Sequence, residues 1–350
     1  MNTPARRRPF RGPLRTRGPL RTRGPLRALR LLLGPLLVLA AVPACAAESD
    51  RPRIVVTTNI LGDVTREIAG DEAEVTVLMR PNADPHSFGL SAAEAATLEQ
   101  ADLVVFNGLG LEENVLRHVD NARRAGVPAV EVGAAVEPLM HRSGEGGHGS
   151  GSGADSDSGA ASGAGSGSGG RPDPHFWTDP DRVREAVGLI ADRIAEHVTG
   201  VDRDAVHRNA ERYAKELADL TSWMTRSFDR VPEDRRALVT NHHVFGYLAD
   251  RFGFRVIGAV IPSGTTLASP SSSDLHALTR AMRAAGVRTI FADSSRPQRL
   301  AEVLREALGD EVRVVTLYSE SLTAEGGGAD TYLSMMRANT KALTDGLTAR

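Results

Sequence analysis

Cysteine is almost missing from this chain. Its 350 residues contain one, Cys45, which excludes a disulfide framework and a thiolate metal cluster. Aromatic residues are scarce at 4%, although 41% hydrophobic and 25% charged residues are ordinary for a globular protein long enough to fill two domains. There is no long hydrophobic run near the start. The stretch 31–42 covers about a dozen residues, is broken by Gly34 and Pro35, and is too short to span a bilayer stably. Neither an H-E-x-x-H helix nor a G-x-S-x-G elbow occurs, so two common hydrolase signatures are absent. Acidic residues are missing from 1–46, which hold ten arginines. The rest of the chain then carries 32 basic and 44 acidic groups, about −12, beneath an overall charge of −2. That balance argues against nucleic acid as a partner.

What is present at the N-terminus reads as an export signal over residues 1–46: an arginine-rich flank with an R-G-P-L-R-T repeat, an apolar core, then small residues up to Cys45. Cys45 sits where a bacterial lipobox places its lipidated cysteine, which predicts an exported protein anchored on the extracytoplasmic face of the membrane. Ordinary cleavage after Ala44, Ala46 or Ala47, giving a soluble secreted or periplasmic protein, is the alternative.

From residue 53 onward, short β-branched runs alternate with helical patterns. Strands are predicted at 53–58, 73–78, 103–106 and 128–132, with helices at 61–69, 92–100 and 112–125. Long amphipathic helices follow at 180–198 and 203–228. A second alternation then places strands at 237–240, 255–260, 289–292 and 313–317, and helices at 245–252, 271–285, 299–308 and 331–347. The pattern predicts an α/β protein with two parallel-sheet lobes: an N-terminal lobe over 47–178, a linking helix over 179–200 and a C-terminal lobe over 201–350. Residues 140–172 are Gly, Ser and Ala with scattered acids, a composition unable to bury a core, and read as a flexible loop. Ligands of such folds gather at the carboxyl ends of strands and between lobes.

The ten histidines are unequal. His118, His197, His207 and His276 lie in helical patterns among charged neighbours and are expected at the surface. His141 and His148 fall in the loop. His86, His175, His242 and His243 each stand at a junction leading into a helix. Both His86 and His175 are presented by Asp-Pro-His, where proline stiffens the backbone, as suits a metal ligand. His242 and His243 end a strand, and neighbours on an extended chain point to opposite faces, so one of them faces the cleft. Three imidazoles with a carboxylate or a water make a tetrahedral zinc site. Asp293 and Glu320, at later strand ends, are both candidate carboxylates, and spacing does not choose between them.

Segments N-I-L-G-D-V-T-R-E-I-A-G-D (59–71), P-N-A-D-P-H-S-F (81–88), A-D-L-V-V-F-N-G (101–108), D-P-H-F-W-T-D-P (173–180), N-H-H-V-F-G-Y-L-A-D-R-F-G (241–253), L-Y-S-E-S-L (317–322) and T-Y-L-S-M-M-R-A-N (331–339) occur in this order. Together they resemble the solute-binding proteins of zinc and manganese ABC importers, from about residue 53 to the C-terminus. The resemblance implies two lobes joined by one rigid helix, with the cation held in the interlobe cleft by His86, His175, His242 and Glu320. It makes His243 a spare ligand or a neighbour and Asp293 a supporting residue. Relatives commonly carry aspartate at the position of Glu320. Histidine at 242 favours Zn2+ over Mn2+, the alternative cargo. The resemblance further implies no enzymatic activity, a monomer, a cognate ABC permease as partner, and in some cases a metallochaperone. A secreted zinc hydrolase and a surface adhesin are the other functional classes. Because imidazole must be neutral to bind, affinity is expected to fall as pH drops towards about 6.5.

Overall fold

The computed structural model describes residues 51–141, 171–309 and 311–349. The export segment, Cys45 and most of the Gly/Ser tract, His148 included, lie outside the described residues.

In the first half, β1 (Arg53–Val56), α1 (Asn59–Ala69), β2 (Glu74–Val77), α2 (Ala92–Glu99), β3 (Leu103–Phe106), α3 (Leu116–Arg124) and β4 (Ala129–Glu131) form a parallel sheet in the order β2-β1-β3-β4. The second half repeats the plan. There β5 (Ala237–Thr240), α6 (Gly246–Phe252), β6 (Arg255–Ala259), α7 (Ser272–Ala285), β7 (Thr289–Asp293), α8 (Arg299–Leu308), β8 (Arg313–Leu317) and α9 (Tyr332–Thr348) give the parallel order β6-β5-β7-β8. The central strands LVVF, ALVT and TIFAD are buried throughout, as continuous apolar runs in a sheet covered on both faces should be. In each sheet the chain runs outward in both directions from its first strand. This topological switch opens a crevice at the carboxyl ends.

Between the lobes run α4 (Pro180–His197) and α5 (Arg203–Phe228). Asp179 caps α4, accepting from Asp181 N at 2.9 Å, and Pro180 occupies the first helical position, where its missing N–H costs nothing. Val183, Val187, Ile190 and Ile194 line one face of α4; Val206, Ala210, Tyr213, Leu217, Leu220 and Met224 line one face of α5. Both stripes enter one hydrophobic core that also contains Val64 and Ile68 from α1, Leu238 and Phe291 from the second sheet, and Met335 from α9. Each buried Leu or Ile side chain there contributes about 1.5–3 kcal/mol. The core therefore passes through both lobes.

Two expectations need correction. The helix predicted from 112 begins only at Leu116, because Glu112 turns inward. Its carboxylate accepts from Thr57 Oγ1 at 2.7 Å, Asn107 N at 2.8 Å and Gly108 N at 3.0 Å, which holds 109–115 in turns. The ends of the Gly/Ser tract are also structured. Met140 and Pro172 form an antiparallel bridge, with His141 N donating to Arg171 O at 2.9 Å and Asp173 N to Leu139 O at 2.7 Å. His141 is thereby fixed in place, half-buried, next to the second Asp-Pro-His segment.

Candidate metal centre

The Asp-Pro-His tripeptide folds the same way twice. Asp84 Oδ1 accepts from His86 N at 2.9 Å, and Asp173 Oδ1 accepts from His175 N at 3.0 Å. In each, a short acidic side chain closes a turn on the backbone two residues on, and the proline between them fixes φ. The first turn follows β2; the second precedes α4, where residues Phe176–Thr178 make a single 3-10 turn. His242 lies two residues past the end of β5. Thr240 Oγ1 donates to His242 O at 2.7 Å and Ile261 N to Asn241 O at 2.7 Å, so the strand end is clamped from both sides.

Glu320 follows β8 in a turn gripped by the other lobe. Trp177 Nε1 donates to Ser319 O at 2.9 Å, Asn59 Nδ2 to Ser321 Oγ at 2.7 Å, and Leu322 N to Asn59 Oδ1 at 3.0 Å. Asp293 stands behind this turn. It accepts from Ser319 N at 3.0 Å, from the Ser319 hydroxyl, and from Ser295 N at 2.7 Å.

These elements bring His86, His175, His242 and Glu320 together, with one donor atom from each lying within 4.8 Å of all the others. The three ring centroids form a nearly equilateral triangle of 5.4, 5.6 and 5.3 Å. His86 Nε2 and His175 Nε2 are 3.3 Å apart. Glu320 carboxylate oxygens lie 3.7 Å from each of these and 2.9 Å from His242 Nε2. A tetrahedron with bonds of about 2.0–2.1 Å has edges of about 3.4 Å, within this spread. All four residues are at most 1% exposed. His242 Nε2 and both Glu320 oxygens make no hydrogen bond among the described residues, although a Glu320 oxygen stands 2.9 Å from His242 Nε2. Orphaned buried polar atoms are expensive unless something else satisfies them.

The electrostatics follow from burial. Desolvation holds the imidazoles of His86 and His242 down to about 4 and that of His175 well below its ordinary value, so all three are neutral at pH 7. Desolvation pushes the Glu320 carboxyl well above its ordinary range, against the pull of His86. Asp173 is raised to about 6 by burial and accepts from His175 Nδ1 at 2.7 Å, which fixes the tautomer and leaves His175 Nε2 as the free donor. His86 Nδ1 and His242 Nδ1 have no such partner among the described residues.

The remaining candidates fall outside the cluster. His243 is partly buried and lines an adjoining cavity of about 1280 Å³ with His141, Arg171, Asp173 and Gly264. Asp293 supports the Glu320 turn without joining the four. His197 and His276 are exposed, whereas His118 and His207 are half-buried on their helices. Sequence reasoning passed over His141, whose Nε2 lies 3.9 Å from Asp173 Oδ1 and whose ring is 6.4 Å from that of His175. It also gave Asp173 and Asp84 no role of their own, although the repeated Asp-x-His spacing signals the turn.

The family described as ZnuA, zinc-uptake complex component A, periplasmic, matches residues 54–346. A manganese-binding lipoprotein, MntA, of Halalkalibacterium halodurans is 25% identical over 323 residues, covering 89% of this chain and 96% of the relative. A zinc-binding protein, TroA, of Treponema pallidum is 26% identical over 298 residues, covering 84% and 88%. An iron-binding protein, YfeA, of Yersinia pestis is 24% identical over 294 residues, covering 84% and 86%. The solved structure of the periplasmic zinc-binding protein TroA shares the fold, with a TM-score of 0.72 over 85% of this chain and 99% of that one. With two parallel-sheet lobes, a buried cluster of metal-ligating side chains and a family match along almost its whole described length, this chain belongs to the ZnuA family, the solute-binding and non-enzymatic components of metal ABC transporters.

Proposed function

We propose that this protein captures Zn2+ outside the cytoplasm, holds it through His86, His175, His242 and Glu320, and delivers it to the permease of a cognate ABC importer. The observation that carries the reading is the convergence of three buried, neutral imidazoles and one partnerless carboxylate. Three nitrogens and one oxygen suit zinc, whereas Mn2+ prefers an oxygen-rich octahedron. The carboxylate also offsets part of the cation's charge in a dry site. Four protein groups complete the tetrahedral number and leave no open position for an activated water, consistent with carriage and not hydrolysis. Relatives named for manganese and for iron keep those cargoes as the second reading. Export with a lipid anchor at Cys45 fits a protein that must stay beside a membrane permease, and a monomer is the form proposed to dock.

Metal analysis of protein purified without added metal tests this. About one zinc per chain is expected. His86→Ala, His175→Ala and His242→Ala are each expected to weaken zinc by more than about 100-fold, since outer partners alone are worth about 10–100-fold. His243→Ala is expected to have a mild effect. Equal losses at His242 and His243, or manganese retained in preference to zinc, would overturn the assignment.

A further inference from the structure

Asp84 does more than close the turn that presents His86. Its second carboxylate oxygen accepts from Ser87 Oγ at 3.1 Å, then reaches across to the other lobe. There it accepts from Thr266 Oγ1 at 2.7 Å and Arg296 Nη1 at 3.0 Å. Arg296 Nη2 donates to Thr266 O at 3.0 Å, so the guanidinium joins the loop after β6 to the loop after β7 as well as to Asp84. One carboxylate thus holds a cation-binding turn of the first lobe against two loops of the second.

The contact is built to open. Asp84 is 7% and Thr266 1% exposed, but the Arg296 side chain is 34% exposed, so water and salt reach the positive partner. When it parts, Asp84 keeps His86 N and Ser87 Oγ as donors and is not orphaned. The opposite flank differs. There the Glu320 turn is held by buried neutral bonds from Asn59 and Trp177, and Asn82 N donates to Leu322 O at 2.9 Å.

We infer that Asp84, Thr266 and Arg296 form a detachable clasp that retains the cation: closed, it keeps His86 facing His242 and Glu320, and its opening is the step that lets the ion leave. The inference rests on the zinc-carrier reading above. Arg296 and Thr266 are positioning residues, acting on the ion through Asp84 and His86.

Stopped-flow mixing of the zinc-loaded protein with excess chelator tests it. Arg296→Ala is expected to release zinc at least about fivefold faster, the lower end of ordinary coupling between sites, with the association rate unchanged. Arg296→Lys, which keeps the charge but loses the second arm, is expected to recover part of the retention, and Thr266→Val to lose part of it. Release from the wild type is expected to quicken with added salt, and release from Arg296→Ala to be insensitive to it. The urea midpoint of the metal-free protein is expected to fall only slightly in Arg296→Ala, as suits a partly exposed ion pair. Zinc released by Arg296→Ala at the wild-type rate, or a metal-free midpoint that falls in step with retention, overturns the clasp alone. A wild-type protein that holds no zinc overturns it together with the carrier reading.

Discussion

Burial sets the protonation of the four central side chains before any ion arrives. With imidazole near 6.5 in an unfolded chain and about 4 for His86 and His242 in the fold, the unfolded state binds more protons between these values. The histidine contribution to metal-free stability is therefore lost as pH falls from 6.5 towards 4. Asp173, raised to about 6, works in the opposite sense, favouring the fold as pH falls from about 6 towards its ordinary 3.8. The sequence expectation of an affinity drop near 6.5 thus shifts, because the imidazoles need lose no proton at neutral pH. In the proposed site the raised Glu320 carboxyl is the group at which a proton competes most strongly with the cation. Calorimetry of zinc binding in buffers of different ionisation heat is expected to show proton release that grows as pH falls from about 7 towards about 5. Glu320→Gln should abolish that release. Release that persists in the variant would point to an imidazole instead.

At the scale of elements, α4 depends on its first residues. Asp179 both caps the helix and accepts from Arg251 Nε at 3.0 Å, linking α4 to α6. Asp179→Ala is expected to destabilise the fold by about 1–2 kcal/mol, chiefly through the lost cap, since Arg251 is 35% exposed and its pair is partly screened. A urea midpoint within error of the wild type would show that α4 needs no such anchor. Helices of this kind are legible in the sequence because their signals are local. Ser271 and Thr331 stand as caps immediately before α7 and α9, and Gly253 and Gly286 end α6 and α7 in the left-handed conformation that favours glycine. The late start of α3 is not legible, because it depends on Glu112 meeting Thr57, 55 residues away. The same holds at the candidate site. Histidines at strand-to-helix junctions stand out in the chain, but the reach of Asp84 to Arg296 spans 212 residues. His141 was hidden by a composition that describes the tract and not its ends.

On the scale of the whole molecule, the first lobe supplies His86, the segment before α4 supplies His175, and the second lobe supplies His242 and Glu320. An ion held by all of them binds only the folded, closed arrangement and so adds to stability by mass action. With free zinc at 100 times its dissociation constant, the gain is about 2.7 kcal/mol, or roughly 4 °C in melting temperature for a body of this size. Differential scanning calorimetry with and without zinc reads this directly, and a chelator should reverse it. A melting temperature indifferent to saturating zinc would mean that the ion sits elsewhere or engages one lobe only.

The grip on the Glu320 turn falls mainly on main-chain atoms: the carbonyl of Ser319, and the N–H and carbonyl of Leu322. A scaffold that holds a loop by its backbone is indifferent to what projects from it. Position 320 can therefore be shortened to aspartate or otherwise exchanged while the loop keeps its place, so the group offered to the cluster can change without rebuilding the frame behind it.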